Sequence, residues 1–182
     1  MARIPRLFGF TALLLASGLA HAQGVPPELR AAVLVRALGY ERGLRAGQGP
    51  VRLLVVSDAS GRRDADAMEA AFRGFAARTT LGGRNLQVDR VEVGDTAEVL
   101  RHDPQVVYLA NGTREATARR IAGALPAGRI VVCGGASLVG QGCVLGVERA
   151  ANRPRLIIHL TEAREAGLDW DSRLMRLARV LR

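Results

Sequence analysis

The stretch Val51–Val56, VRLLVV, runs straight into Ser57-Asp58, and its reading decides the fold. A continuous apolar run of this length, bounded by turn residues, reads as a strand covered on both faces. A strand with one wet face would alternate instead. Two further runs share the character. Gln105–Ala110 (QVVYLA) is closed by Asn111-Gly112, and Arg129–Cys133 (RIVVC) enters Gly134-Gly135. Leu86–Val93 is a fourth strand, after the Gly82-Gly83 turn. Helical patterns separate them. Asp64–Arg78 places Met68, Ala71, Phe72 and Phe75 on one side. Asp95, with Glu98 three residues on, begins a short helix as a capping box does, and Thr113 caps a helix through Leu125. Ahead of all these, Glu28–Leu44 is helical, with Leu29, Ala32, Val33, Val35 and Leu38 on a broad apolar face. Cys143–Glu148 and Arg155–Leu160 form a hairpin around Asn152. The fold class is therefore α/β. A mostly parallel twisted sheet of about five or six strands carries helices on both faces and an antiparallel C-terminal hairpin.

The N-terminus carries an export pattern. Arg3 and Arg6 precede an apolar segment, Leu7–Leu19, and Ala20-His21-Ala22 is an A-x-A cleavage site. Residues 1–22 read as a signal peptide cleaved after Ala22, and residues 23–182 as one domain in the periplasm. All 26 basic residues are Arg; the mature part holds 24 against 17 acids, a formal charge near +7. Export and the scatter of these arginines argue against nucleic acid as the partner. A solvated surface, or attraction to anionic lipid head groups or an acidic partner face, accounts for them instead.

After the hairpin, Arg155–Arg182 reads RLIIHLTEAREAGLDWDSRLMRLARVLR. Thr161–Gly167 has a helix-cap residue type at its start and a Gly at its end. Leu174, Leu177, Ala178 and Leu181 then recur at i, i+3, i+4 and i+7, the stripe of an amphipathic helix packed on the sheet. Leu160, Ala163, Arg164, Ala166, Gly167, Leu168 and Ser172, with the run Arg173-Leu174 and Arg176 to Val180, resemble the C-terminal signature of the YfiR-like family of bacterial periplasmic proteins. His159 stands where that family usually has Asn. The family's aromatic-rich first helix is represented here by Ala32–Tyr40, with one aromatic.

Candidate sites are few. Cys133 and Cys143 are the only cysteines, a strand end and a strand start joined by a Gly-rich loop. In an oxidising compartment they read as a disulfide, with two buried free thiols as the alternative. The family carries cysteine pairs in this region, which the resemblance extends here. Ser57, Asp58, Asn111, Gly112, Gly134 and Gly135 fall at carboxyl ends of parallel strands, where open α/β sheets bind ligands. Ordinary turn chemistry explains the same residues. Gly134, Gly135, Gly140 and Gly142 lack the Lys-Ser/Thr of a phosphate loop. His102 and His159 form no metal-ligand spacing with the cysteines, so no metal and no cofactor are expected. No nucleophile–base set or paired carboxylates appear, so the chain does not read as an enzyme. Arg173, Arg176 and Arg179 recur along the final segment, as a solvated face or as a surface for a partner.

The resemblance implies a non-enzymatic periplasmic regulator. Such proteins bind the periplasmic part of an inner-membrane diguanylate cyclase and hold down cyclic-di-GMP output, hence biofilm formation. Homodimerisation is compatible with this reading. The alternative is a periplasmic small-ligand binding module that uses the carboxyl edge of the sheet.

Overall fold

The computed structural model describes residues 24–93, 95–151 and 153–182. The expected signal peptide with its cleavage point, and Asn152, around which the hairpin is expected to turn, lie outside the described residues.

The expected α/β architecture is present, with seven strands in one sheet among the described residues rather than five or six. Their order is β2-β1-β3-β4-β5-β6-β7. The strands are β1 Val51–Ser57, β2 Leu86–Glu92, β3 Val106–Leu109, β4 Ile130–Cys133, β5 Leu145–Ala150, β6 Arg153–His159 and β7 Ala178–Leu181. All neighbouring pairs are parallel except β5–β6, the hairpin. The α-helices among the described residues are α1 Pro27–Leu38, α2 Arg42–Ala46, α3 Arg62–Ala76, α4 Thr96–Arg101, α5 Glu115–Ala124, α6 Leu160–Glu165 and α7 Ser172–Leu177.

Both faces of the sheet are covered, which is why β1, β3 and β4 can be apolar throughout. One face packs Leu53, Val55, Val106, Tyr108, Ile130 and Val132 against α1 and α3 through Leu34, Leu38, Met68 and Phe72. The other packs Leu54, Val56, Val107, Leu109 and Val131 against Val99 of α4 and Ala118 and Ile121 of α5. Successive residues of each strand supply opposite faces, as the pleat requires.

Three local expectations are corrected. The first helix does not continue to Leu44. It stops at Leu38, and Glu41 caps a separate turn of helix by accepting from the Leu44 amide at 2.5 Å. Thr113 does not cap α5; Arg114 holds the N-cap position, with no side-chain cap, and the Thr113 hydroxyl is buried without a partner. Thr161 does not cap α6 either. That role falls to His159, whose Nδ1 accepts from the Glu162 amide at 3.3 Å. An Asn at this position could cap a helix start in the same way, so the substitution of His for Asn preserves the local chemistry.

The largest correction concerns the C-terminal segment. The expected amphipathic helix ends at Leu177. At Ala178 the backbone turns extended (φ −112°, ψ 153°), and Ala178–Leu181 pair with Leu156–His159 as β7. The apolar stripe is therefore divided. Leu174 is buried at 1 % exposure, whereas Leu177 is 60 % exposed. Expected outcomes differ accordingly in urea unfolding of the mature protein. Leu174→Ala should lower stability by about 2–5 kcal/mol as a buried truncation. Leu177→Ala should stay within about 0.5 kcal/mol of the parent. A large loss at Leu177 would contradict the strand assignment.

Candidate functional site

In this strand order the chain leaves β1 for β2 on one side, while β3 lies on the other. The carboxyl ends of β1 and β3 therefore flank the topological switch point, the usual ligand crevice of open α/β sheets. Ser57 and Asp58 end β1, and Asn111 and Gly112 follow β3. Gly134 and Gly135 follow β4 next door, so the six expected residues do share one edge.

The chain's own groups occupy much of that edge. The Asp58 carboxylate accepts from the Ser60 amide at 3.1 Å, the Ser60 hydroxyl at 2.6 Å, the Gly61 amide at 3.2 Å and the Arg114 amide at 3.3 Å. Partial burial pushes its pKa up, but these donors outweigh burial and hold the carboxyl below the usual range. The Ser60 hydroxyl also lies 2.9 Å from the Gly112 carbonyl, tying the β1 loop to the β3 loop. Gly112 (φ +93°) brings its backbone so close that a Cβ would sit 3.0 Å from the Ser60 oxygen. Ser57 is fully buried, and its hydroxyl has no partner.

Beside it is a polar cluster that the sequence reading missed. The Asp64 carboxylate accepts from Arg30 Nη1 at 2.6 Å, the Tyr108 hydroxyl at 2.8 Å, the Asn111 amide at 2.8 Å and Asn111 Nδ2 at 3.2 Å. Arg30 also donates to the Tyr108 oxygen at 2.9 Å and to the Val25 carbonyl at 3.0 Å. Burial alone would lower the Arg30 pKa, but the adjoining Tyr108 and Asp64 raise it. Burial pushes Tyr108 well above its ordinary value, so its hydroxyl keeps its proton and donates to Asp64. Gly134 closes over the cluster. A Cβ there would run into the Tyr108 hydroxyl and come 2.7 Å from Arg30 Nη1. One signal was available: Arg30 lies four residues before Leu34 and eight before Leu38, on the buried stripe of α1.

The two cysteines also meet. Both thiols are buried and free in this structure. The Cys133 sulfur lies 3.2 Å from the Gly135 carbonyl and 3.4 Å from that of Leu145. Burial, then the hydrogen-bonded Cys133 thiol, pushes the Cys143 thiol well above its ordinary range.

The three expected partner-face arginines do not line one helix. Arg173 and Arg176 are on α7, and Arg179 is on β7. Asp171 holds Arg173 through an ion pair at 2.7 Å, and its guanidinium carbon lies 5.7 Å from the centre of the Tyr40 ring. Arg179 lies 3.5 Å from Glu148.

A hollow of about 400 Å³ lies away from the switch point, between α5, α6 and the loop before β5. Leu125, Val131 and Val144 contribute apolar surface, while Arg119, Arg129, Glu162 and Glu165 are its charged lining residues. Among the described residues no group of His, Cys, Asp and Glu is placed to hold a metal ion. No helix among them is long and apolar enough to cross a membrane.

A family model described as DUF4154, YfiR/HmsC-like, matches residues 27–179. No curated protein matches the chain. Among solved structures, the chain is similar to the ABC domain in complex with L-Trp from Streptococcus pneumonia, at 11% identity and a TM-score of 0.59. The match covers 86% of this chain and 62% of that one. At that identity the likeness is one of fold.

The Arg30–Asp64 pair generates a stability prediction. Asp64→Leu should cost about 3–5 kcal/mol, because it leaves a buried guanidinium unpaired and strands the Tyr108 and Asn111 donors. Adding Arg30→Met should restore part of that loss, since the stranded charge goes with it. Urea unfolding of the two variants checks this; a double variant no better than the single would place the loss outside the ion pair.

Proposed function

The chain belongs to the YfiR/HmsC-like family, and from that premise we propose a periplasmic regulator that works by protein–protein contact rather than catalysis. Its target in this reading is the periplasmic part of an inner-membrane diguanylate cyclase, whose cyclic-di-GMP output it restrains. The family match over residues 27–179 carries the reading. The geometry supports it: the switch-point carboxylates, Asp58 and Asp64, are engaged by the chain's own donors. The basic C-terminal region with Arg173, Arg176 and Arg179 is the proposed partner face, and its charge speeds encounter with an acidic surface.

Capture from solubilised inner membranes, paired with a cyclic-di-GMP measurement in a deletion strain, tests the reading. Deletion should raise cyclic-di-GMP, and the mature protein should retain a cyclase. Unchanged cyclic-di-GMP and no captured membrane protein would favour the second reading, a small-ligand binding module. The hollow between α5 and α6 supports that alternative, because its volume falls in the range of small-molecule sites.

The proposed export and disulfide share one measurement. In the oxidising periplasm the adjacent Cys133 and Cys143 thiols would close a short loop, adding roughly 3 kcal/mol in the chain-entropy model. Mass spectrometry of non-reduced periplasmic protein should show a start at Gln23 and a mass two hydrogens below the dithiol form. A chain starting at Met1 would remove the export reading. Two alkylatable thiols in the native protein would remove the disulfide.

A further inference from the structure

Strand β7 has β6 on one side and no strand on the other among the described residues. It pairs with β6 in parallel over Ala178–Leu181. Alternate residues of such a strand turn their N–H and C=O groups away from the sheet, so the outer side of β7 is a template for another strand.

The pleat gives that edge two different faces. Ala178 and Val180 pack partly against the core beneath α1 and α3. Arg179 is exposed on the opposite face, where Leu181 packs partly against the other core. Arg155 and Arg153 of β6 lie on the same face as Arg179, since Ile157, in register with Arg179, follows them by alternate steps along β6. A single acid stands among the three arginines. Glu148 accepts from Arg155 at 2.7 Å, and the same oxygen lies 3.5 Å from Arg179. Arg176 and Arg182, both exposed, flank the strand. One carboxylate therefore serves two guanidinium groups, Arg155 and Arg179, beside an open edge, and the local excess of charge is positive.

We propose that the outer edge of β7 docks an extended acidic segment of a protein partner, which adds to the sheet as a further strand. The inference deepens the regulator reading above and rests on it for the partner's identity. The side chain of the incoming strand nearest Arg179 lies on the Arg179 face, at a cross-strand spacing of about 5 Å, and a carboxylate there completes the unbalanced charge. Its neighbours lie on the Ala178 and Val180 face, where apolar side chains extend the existing core. The segment recognised thus alternates acidic and apolar residues over about four or five positions. A second copy of this chain is a poorer occupant. Pairing two β7 edges antiparallel brings Arg176, Arg179 and Arg182 of both copies together, and like charges across a ladder are destabilising.

The probe is a fluorescent peptide with the core Val-Glu-Val-Glu-Val between Gly-Ser flanks, mixed with the full mature protein. It should bind with salt-sensitive affinity and slow amide hydrogen exchange within residues 178–181. N-methylation of alternate peptide residues should abolish binding, because strand addition works through main-chain hydrogen bonds. Replacing Glu by Lys in the peptide should also abolish it. Arg179→Gln, which removes charge at an exposed position, should weaken binding about tenfold, equivalent to about 1.4 kcal/mol. Arg179→Glu should prefer the Lys peptide. Unchanged exchange at 178–181, or equal binding of the N-methylated peptide, overturns the inference and leaves the edge arginines as guards against aggregation. Protection at 178–181 that rises with protein concentration alone overturns it in favour of self-pairing. Its failure and that of the regulator reading separate cleanly. If Arg179→Glu protein retains the cyclase and its control, the edge inference falls and the regulator stands. If deletion leaves cyclic-di-GMP unchanged while the peptide binds the edge, the regulator falls and the edge stands.

Discussion

A buried guanidinium fixes the arrangement of this molecule. Arg30, with its side chain 6% exposed, must be neutralised and hydrogen-bonded wherever α1 packs. Only one position of α1 over the sheet sets it against Asp64 at the start of α3 and Tyr108 in β3. Apolar packing of Leu34 and Leu38 could tolerate small slides of the helix; the ion pair does not. Phe72 of α3 meets the Tyr108 ring edge-on at 5.4 Å, so the same tyrosine positions an aromatic contact as well as a proton donor. Desolvating these charges is costly, and the cluster is better understood as specifying one packing than as a net gain in stability.

The cluster also shapes the carboxyl edge. Asp64 takes the Asn111 amide, Asp58 takes the Arg114 amide, and Gly134 leaves no room for a side chain above Tyr108. Loops that would line a ligand crevice in another doubly wound sheet are here laced to one another. An open strand edge lies at the far end of the sheet, where the hairpin and β7 extend it. The molecule is thus closed at the switch point and unfinished at its edge, an arrangement suited to contact.

Much of the fold was legible because the double-sided burial of β1, β3 and β4 leaves them with no polar alternation to misread. The hairpin was legible from its two apolar runs and the turn residue between them. The end of the chain was not. Leu174, Leu177, Ala178 and Leu181 satisfy a helical period, yet Ala178-Arg179-Val180-Leu181 also alternates as a strand does. Pairing with the free side of β6 decided between them, and that is tertiary information. Among the candidate residues, the six at the carboxyl edge were correctly placed together by strand ends alone. Their partners were hidden because Arg30, Asp64 and Tyr108 each have an ordinary local role, as a helix arginine, a first-turn acid and a strand aromatic. The arginines do not share one helix for the same reason, since Arg179 falls on β7 rather than α7.

The Glu41–Trp170 bridge bears on timing. Glu41 accepts from the Asp169 amide across 128 residues, the Arg42 amide donates back to the Asp169 carbonyl, and the Asp171 amide donates to Tyr40. Closing a loop of that length from an open chain costs about 4 kcal/mol in entropy before any contact forms. The strap therefore closes late, after the sheet has brought its ends near. Until then α2 and the segment before α7 have little to hold them. The contacts that close last are also the cheapest to open, so this strap is where local opening of the native molecule begins.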